Sequence, residues 1–484
     1  MTTTPTRAST PRARATGDPA APSRPTREQR IGRGKAARAE VPRASHAEFD
    51  KSTGRADPLT LLLAKDATRV PELLPIRYAR MASSAFAFFR GAALPMASDL
   101  ARTPRSGLDV QLCGDAHLSN FGLFGSPERH VVFDINDFDE TLPGPWEWDV
   151  KRLATSVEIA GRASGYPSKV RRASVLATVA AYRRSMRAFA GMDPLGIWYA
   201  HASLDRIDAL TKGQLNARQR KTIARTVAKA QTKDNLGALE RFATVEDGVP
   251  RLTAEPPLVV PVRDLWAGTA EAVEVADALR RLMSDYRDTL EPERRVLLDR
   301  YQLVDMARKV VGVGSVGTRS WMLLLVDDAL NPLFLQAKEA GPSALEQFVG
   351  ASEYENGGQR VVIGQRLIQA VSDIFLGWVR VTGIDGLCRD FYVRQLRDWK
   401  GSIEVETMRP EGMTAYGEIC GWTLARAHAR TGDPVALGAY LGRGAAFDEA
   451  VQSFAESYAD QNERDHQTLL DAIASGRITA ETGV

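Results

Sequence analysis

Apolar and polar positions follow three successive patterns along the chain. From residue 57 to about 304 most apolar residues recur at helical spacing, as in WEWDVKRLATSVEIAGRAS (146–164), which predicts a mainly helical region. Between residues 310 and 399 the apolar runs are short and either alternating or continuous, which predicts a small, mostly antiparallel sheet. After residue 413 the helical spacing returns, and the helix YGEICGWTLARAHARTGD ends at a Gly-Asp-Pro signal.

Shorter features interrupt these patterns. LDVQLCG (108–114) and HVVFDIN (130–136) predict two strands inside the first helical region. Residues 78–101 predict a helix in which Gly91 and Pro95 act as potential breaks. Two further helices are predicted near residues 271–289 and 293–303, and RVVIGQRLIQ (360–369) is counted among the strands of the sheet.

The composition is that of a globular protein with a basic N-terminal extension. Charged residues make up 25% and hydrophobic residues 44% of 484 positions, ordinary values for a chain with a core and two or three domains. The first 56 residues hold twelve Lys/Arg and five Asp/Glu, a net +7, which leaves −4 for the remainder of a chain whose total is +3. Few large apolar residues occur in this extension, so a disordered tail is predicted.

Charge, apolar runs and cysteines disfavour several classes of protein. A mildly acidic body argues against nucleic-acid binding. No run reaches the roughly 18 apolar residues of a membrane span, and the N-terminus lacks the apolar segment of a secretory signal. Cys113, Cys388 and Cys420 are far apart and odd in number, which fits a reducing compartment. We therefore expect a cytoplasmic protein with neither a membrane nor a nucleic-acid partner.

The stretch CGDAHLSNFGLFGSPERHVVFDINDFDET (113–141) concentrates carboxylates and carboxamides beside two apolar runs. Repulsion between the carboxylates calls for a cation among them. An EF-hand is excluded, because Phe138 and Asp139 occupy its fifth and sixth positions counted from Asp134. Zinc is disfavoured, because Cys113 and His117 have no partners at ligand spacing nearby. Oxygen ligands suit Mg²⁺, which one or two carboxylates and substrate phosphates commonly hold.

A glycine-rich segment, Gly312-Val-Gly-Ser-Val-Gly317, matches G-x-G-x-x-G. A Rossmann site needs a helix directly after the last glycine, whereas TRSWMLLLVDD (318–328) predicts a strand. A glycine loop between antiparallel strands covers phosphates in protein-kinase-like folds, and a plain tight turn is the third interpretation. The kinase interpretation requires a lysine on the third strand of the sheet, and LFLQAKEA supplies Lys338.

Phosphoryl transfer gives each motif a task. An Asp orients and deprotonates the acceptor hydroxyl, an Asn and an Asp hold the metal, and a Lys binds phosphate. Asp115, Asn120, Asp137 and Lys338 match these four roles in residue type and order within their motifs. The sequence therefore favours a Mg²⁺ and phosphate site over a set of unrelated turn and cap residues.

Two supporting residues are open to alternatives. Arg90 in FFRGAA has the fork-shaped guanidinium that binds phosphate, but the same side chain could brace a helix. Glu346 in SALEQF is a candidate carboxylate partner for Lys338. Glu339 is a rival for that pairing, although adjacent strand residues point to opposite faces.

Longer segments resemble known families. GDAHLSN with NDFDETLPGPWEWDVKRLA is similar to the H-G-D-x-H-x-x-N, I-D-F-x-D and D-L-A motifs of aminoglycoside and choline phosphotransferases. More of the chain, from residue 57 to about 470, resembles a bacterial family catalogued as domain of unknown function 2252. This resemblance rests on RVPELLPIRYARM, FAFFRGAA, CGDAHLSNFG, FDINDFDETLPGPWEWDVKRLA, KVVGVGSVGTR, LQAKEA, GQRLIQAVSDIFLGW and FYVRQLRDWKGS.

Residues and resemblance together define the predicted site. The predicted catalytic residues are Asp115, His117 and Lys338. The predicted metal ligands are Asn120, Asp137, Asp139 and Asp134. The predicted nucleotide-binding residues are Gly312, Gly314, Ser315, Gly317, Lys338, Glu346 and Arg90. By the resemblance, Asp134 is only a rival to Asp137 for the metal, and Asp149 is a structural residue that braces the catalytic loop.

The chain departs from the phosphotransferase pattern in two ways. Cys113 stands where a His normally opens the H-G-D motif. The glycine loop and its lysine also follow the catalytic loop by about two hundred residues instead of preceding it. A circular permutation accounts for that order, because catalysis needs the groups in one cleft and not in one sequence order.

The predicted fold is α+β: a two-lobed, protein-kinase-like fold in circularly permuted order, with a mostly helical large lobe and a small antiparallel β lobe. Its predicted parts are a disordered basic tail (1–56), a helical catalytic lobe (57–304), a nucleotide-binding β lobe (305–405) and C-terminal helices that pack on the catalytic lobe (406–484).

The expected activity is ATP- and Mg²⁺-dependent phosphotransfer to a hydroxyl, with a small-molecule acceptor favoured over a protein by analogy with the similar kinases. Nucleotidyl (AMP) transfer is the alternative reaction, for which the same cleft would bind ATP reversed. A nucleotide-binding regulator without turnover and a dinucleotide-dependent oxidoreductase are the remaining alternatives.

Overall fold

The computed structural model describes residues 24–49, 54–203, 217–265, 281–310, 312, 314, 316–383, 385–396 and 399–481, and they form a mixed α+β fold. The helices are α1 (Arg27–Glu40), α2 (Pro58–Asp66), α3 (Leu74–Ala82), α4 (Ala85–Gly91), α5 (Ala93–Leu100), α6 (Trp146–Ala163), α7 (Ser168–Phe189), α8 (Pro194–Tyr199), α9 (Ala217–Gln231), α10 (Asn235–Phe242), α11 (Val262–Leu265), α12 (Pro292–Leu298), α13 (Glu346–Val349), α14 (Gly357–Ile368), α15 (Pro410–Thr431), α16 (Pro434–Leu441) and α17 (Ala446–Ala474). The strands are β1 (Asp109–Leu112), β2 (Phe121–Gly125), β3 (Val131–Ile135), β4 (Leu142–Pro145), β5 (Ala202–Ser203), β6 (Ala243–Glu246), β7 (Val249–Leu252), β8 (Val259–Pro261), β9 (Gln302–Lys309), β10 (Ser320–Val326), β11 (Pro332–Glu339), β12 (Gly377–Thr382), β13 (Cys388–Gln395) and β14 (Gly401–Ser402).

The largest hydrophobic core lies among the helices. Helices α6, α7, α15 and α17 pack around it, with Trp146 stacked on Tyr182 at a centroid distance of 5.6 Å. Helices α7 and α15 approach closely because Gly421 has no side chain: a Cβ there would overlap the Thr178 carbonyl oxygen. Apolar residues at helical spacing in α6 and α15 therefore produce the packing that their patterns predict.

The six-stranded antiparallel sheet has the order β12-β13-β11-β10-β9-β8 and carries its own cores. Side chains alternate along β10, so Leu323 and Leu325 join one buried cluster while Met322 and Leu324 join another. Burial on both faces explains the continuous apolar run of this strand. The antiparallel sheet predicted over residues 310–399 is present. It also contains β8 and β9, which precede residue 310 in the chain.

The prediction that residues 1–56 form a disordered tail is wrong for residues 24–49, which include helix α1. Thr26 and Gln29 form a capping box at the start of α1, and Arg30 makes an ion pair of 2.7 Å with Asp433. Helix α1 packs on α16, where a Cβ at Gly34 would overlap the Ala436 carbonyl. Composition missed this helix because small residues, not large apolar ones, make the contact. Residues 1–23 and 50–53 lie outside the described residues.

Three other predicted elements differ in the structure. Residues 360–368 belong to helix α14 and not to a strand, and Asn356 caps the helix by accepting from Gln359 N at 2.9 Å. Residues 78–101 form parts of three helices, with breaks at Ser83–Ser84 and at Ala92. The helix predicted over 293–303 ends at Leu298 and strand β9 follows. Of the helix predicted over 271–289, residues 271–280 lie outside the described residues and residues 281–288 are helical.

A membrane span would require a long and apolar helix. Within the described ranges, every helix is too short or too polar to cross a bilayer.

Candidate active site

A cavity of about 240 Å³ lies between the sheet and the helices that surround the 113–141 stretch. Most of its lining residues are charged or polar. The lining residues are Leu62, Lys65, Arg69, Arg90, Gly91, Ala93, Leu94, Asp115, His117, Asn120, Asp137, Asp139, Glu140, Gly312, Gly314, Gln336, Lys338 and Arg394. Two motifs far apart in sequence, the acidic stretch and the glycine loop with its lysine, therefore meet in one cleft.

Helix α6 fixes the position of the loop that follows β1. Asp149 lies in the first turn of α6, where a carboxylate is favoured by the helix dipole. Its oxygens accept from Cys113 N at 2.8 Å and Gly114 N at 3.1 Å, and His428 Nε2 lies 3.2 Å away. Gly114 is required because its φ is +82° and a Cβ would overlap the Glu140 carbonyl. Asp149 thus braces this loop, as the resemblance implied.

Asp115 points into the cleft and is paired with an arginine from α6. Arg152 Nε donates to Asp115 Oδ1, and Arg152 Nη2 donates to the Phe89 carbonyl at 3.0 Å. Burial raises the pKa of Asp115 to about 6, against the lowering effect of Arg152. A carboxylate with such a pKa is a suitable general base near neutral pH.

His117 is buried beside Asp115. Its Nε2 lies 3.7 Å from Asp115 Oδ2, and its Nδ1 has no hydrogen-bond partner among the described residues. Burial, with the positive charges of Arg152 and Arg90, lowers the pKa of His117 well below its usual value. The imidazole is therefore neutral at pH 7.

Asn120 and Asp137 lie at the ends of neighbouring segments. Asn120 Nδ2 donates to the Asp115 carbonyl at 2.8 Å, and the Asn120 carbonyl accepts from Asn136 N at 2.8 Å. The first bond lies within the loop after β1, and the second joins that loop to the end of β3, where Asp137 follows. Asn120 and Asp137 thereby line the same cleft.

Lys338 on β11 reaches the two acids after β3. Its ammonium makes an ion pair with Asp139 and lies 3.8 Å from Asp137 Oδ2. Tyr392 on β13 donates to Asp139 Oδ1 at 2.9 Å.

The charged groups of this cluster shift one another's pKa values. Burial opposes the charged form of Asp139, but Lys338 and the Tyr392 hydrogen bond lower its pKa to about 2. Burial and the Asp139 charge raise the pKa of Asp137. Burial alone would lower the pKa of Lys338, but the two carboxylates raise it above its usual value.

The glycine segment joins β9 and β10, which pair antiparallel, and Gly317 is followed by strand β10 instead of a helix. Gly312 and Gly314 line the cleft, and Gly317 has a φ of +88°. Arg69 donates to the Val316 carbonyl and, at 3.0 Å, to the Gly314 carbonyl. The Rossmann interpretation is therefore wrong. Ser315, predicted to bind nucleotide, lies outside the described residues.

Two predicted site residues have other partners. Asp134 is buried, and its oxygens accept from Arg426, Ile135 N and Ala370 N. It does not line the cleft, so we remove it from the metal ligands.

Glu346 accepts from Ser343 N at 2.9 Å and lies 3.8 Å from Arg360 Nε. It does not pair with Lys338, whose partner is Asp139. Arg360 in turn donates to the carbonyls of Asp139 and Thr141 and fixes that turn.

Sequence reasoning missed several basic residues of the cleft. Arg69, Arg394 and Lys65, which pairs with Glu140, line the cleft, and the buried Arg152 pairs with Asp115. For Arg152 a signal was available: it follows Asp149 by three positions, so both project from one face of α6 towards the loop after β1. Nothing comparable marks Lys65 or Arg69, whose role depends on where α2 lies.

The oxygen donors of the cleft fit a cation held jointly with a ligand. Among the described residues no three His, Cys, Asp or Glu side chains converge on one ion position, so the protein alone does not form a closed metal cage. Asn120 and Asp137 supply one carboxamide and one partly exposed carboxylate. That set suits Mg²⁺ bound together with phosphates.

Comparison with known proteins yields one match. A family model described as "Uncharacterized protein conserved in bacteria (DUF2252)" matches residues 69–472. No curated protein matches the chain, and no solved structure does. The matched region includes all the cleft residues except Leu62 and Lys65.

Proposed function

The chain belongs to this bacterial family of uncharacterised proteins, and we propose that its charged cleft is the active site of an ATP- and Mg²⁺-dependent phosphotransferase acting on a hydroxyl. One observation carries the proposal. Lys338 and Asp139, 199 positions apart in the chain, form an ion pair beneath the glycine loop and beside Asp115 and Asn120. If the glycine segment were only a tight turn and the acidic residues only turn and cap residues, the two motifs would have no reason to meet in one cleft.

Each group has a task in phosphoryl transfer. Asp115 accepts the proton of the acceptor hydroxyl, Lys338 binds phosphate oxygens, and backbone N–H groups of the glycine loop cover the phosphates. Asn120 and Asp137 would hold Mg²⁺, which when bound neutralises charge on the phosphates. Lys338 also makes an ion pair with Asp139 in the same cleft.

We interpret the architecture as a protein-kinase-like fold in permuted order. Strands β9, β10 and β11 with the loop between the first two have the order of a kinase phosphate-binding segment. The end of α15 lies beside β1, where Gln111 N donates to Thr431 Oγ1 at 3.1 Å. A helix that comes late in this chain thus stands directly before the catalytic loop in space, which supports the permutation.

The reaction is tested with labelled nucleotide. The protein is incubated with γ-labelled or α-labelled ATP, Mg²⁺ and a bacterial metabolite extract. Label from the γ position in a small product supports phosphotransfer, and label from the α position supports nucleotidyl transfer instead. Nucleotide binding without transfer of either label would point to the regulator.

Removal of the metal ligands should affect Mg–ATP selectively. In Asn120→Ala and Asp137→Asn, we expect the affinity for Mg–ATP to fall at least about tenfold, while the affinity for ATP in EDTA changes little. Calorimetric titration of both forms measures the difference, and Asp328→Asn, an exposed residue outside the cleft, is the control. Equal losses in both titrations of a folded variant would contradict the assignment.

Activity should also depend on the protonation of Asp115. Its pKa is raised to about 6, and only the carboxylate accepts a proton. We therefore expect kcat to fall as the pH drops through about 6 and to level off above it. A pH profile of kcat at saturating Mg–ATP checks this. A profile flat from pH 5 to 7 would exclude a base with this pKa.

A further inference from the structure

The proposed phosphotransfer mechanism assigns no role to Arg90, whose positively charged side chain lines the cleft. Lys338 pairs with Asp139, and Lys65 pairs with Glu140. Among the described residues, no hydrogen bond or ion pair engages the Arg90 guanidinium, and its Nε is buried. The Arg90 side chain is half-buried in the wall of the cleft, so a ligand anion there would supply the missing partner in a site partly shielded from water, where an ion pair is stronger than at a fully exposed position.

Arg90 lies between the base and the glycine loop: a Cβ at Gly314 would lie 3.2 Å from the Arg90 carbonyl oxygen. It lies at the end of α4, and its positive charge acts on His117, whose Nε2 is 3.7 Å from Asp115. Arg152 connects Asp115 to the Phe89 carbonyl, one residue before Arg90. The base and Arg90 are therefore fixed relative to each other by one bridging side chain.

Strands of the sheet supply another part of the cleft wall. Lys338 and Gln336 come from β11, and Arg394 comes from β13 and donates to the Asn136 carbonyl at 3.0 Å. Phosphates bound by Lys338 lie against that part of the wall. An anion bound by Arg90 would instead lie next to the hydroxyl that Asp115 deprotonates.

We propose that Arg90 binds an anionic group of the acceptor, and that the substrate is a hydroxyl compound bearing a carboxylate or a phosphate. The guanidinium fork matches either oxyanion with two parallel hydrogen bonds. This inference rests on the proposed function and narrows its substrate. It departs from the similar choline and aminoglycoside kinases, because the positive charge of Arg90, which has no carboxylate partner among the described residues, would repel a cationic acceptor.

Inorganic phosphate is the probe for this site. Its binding to the full chain is measured by calorimetry with and without saturating Mg²⁺ and the non-hydrolysable analogue AMP-PNP, and acetate replaces phosphate in a second series. We expect the wild-type protein to bind phosphate in both conditions, and Arg90→Gln to weaken it about tenfold or more. The exposed Arg300→Gln is the control. Arg90→Lys, which keeps the charge without the fork, should fall between them.

Each outcome of these titrations either supports the proposed role of Arg90 or overturns it. The inference is overturned if neither anion binds the wild type, if Arg90→Gln binds as the wild type does, or if AMP-PNP displaces phosphate, since Arg90 would then serve the nucleotide. Phosphate binding that depends on Arg90 in a protein that does not bind AMP-PNP would sink the proposed phosphotransferase and leave the anion site standing. The tighter of the two anions identifies the group on the acceptor.

Discussion

Asp115→Asn is expected to lower kcat by about 100- to 10,000-fold, the contribution of a general base, while leaving the affinity for Mg–AMP-PNP nearly unchanged. The amide keeps the shape of the side chain but cannot accept the proton of the acceptor hydroxyl. A group that acts only in the transition state lowers kcat without weakening ground-state binding. Single-turnover transfer from γ-labelled ATP and calorimetric titration of the analogue measure the two quantities.

The design must separate catalysis from stability. Asp115→Asn leaves the buried Arg152 without its carboxylate, which is destabilising. The double variant Asp115→Asn/Arg152→Met removes that unpaired charge and should remain folded and inactive. Asp328→Asn, at an exposed position, should keep the wild-type kcat. Turnover near the wild-type rate in the Asp115→Asn variant would remove Asp115 from the mechanism.

Lys338→Met is expected to lower kcat by about 100- to 1,000-fold, the effect of removing one positioned charge at the transferring group. Methionine keeps most of the length of the side chain in the buried position between Asp137 and Asp139. Without the ammonium the two carboxylates repel each other and the phosphates, so the affinity for Mg–ATP should fall as well. Both are measured as for Asp115.

Glu346→Gln is the informative comparison for Lys338→Met. In a kinase-like site where a helix carboxylate pairs with the lysine, this change would also be severe. Here Glu346 contacts Ser343 and Arg360, and Lys338 pairs with Asp139. We expect Glu346→Gln to keep most of the activity. A loss as large as that of Lys338→Met would show that the pairing changes when nucleotide binds.

Much of the site could be predicted because its motifs are local. The strand that follows Gly317 is encoded by a continuous apolar run, and that alone separates a loop between antiparallel strands from a Rossmann turn. Asp149 likewise sits at a helix start that the sequence indicates, and it braces the loop as expected. The same local logic failed for residues 360–369, where an apolar run too short to show its period belongs to a helix.

The amino-acid sequence by itself determined the residue types of the site, the elements that carry them and the mixed α+β class, because periodicity, caps and glycines act over a few neighbouring residues. Only the tertiary structure decided which charges meet. Lys338 makes its ion pair with Asp139 and not with Glu346. Asp134 makes an ion pair with Arg426, and Asp115 makes one with Arg152. These partners depend on how elements far apart in the chain pack, since an ion pair forms wherever burial brings opposite charges together, at any separation in sequence.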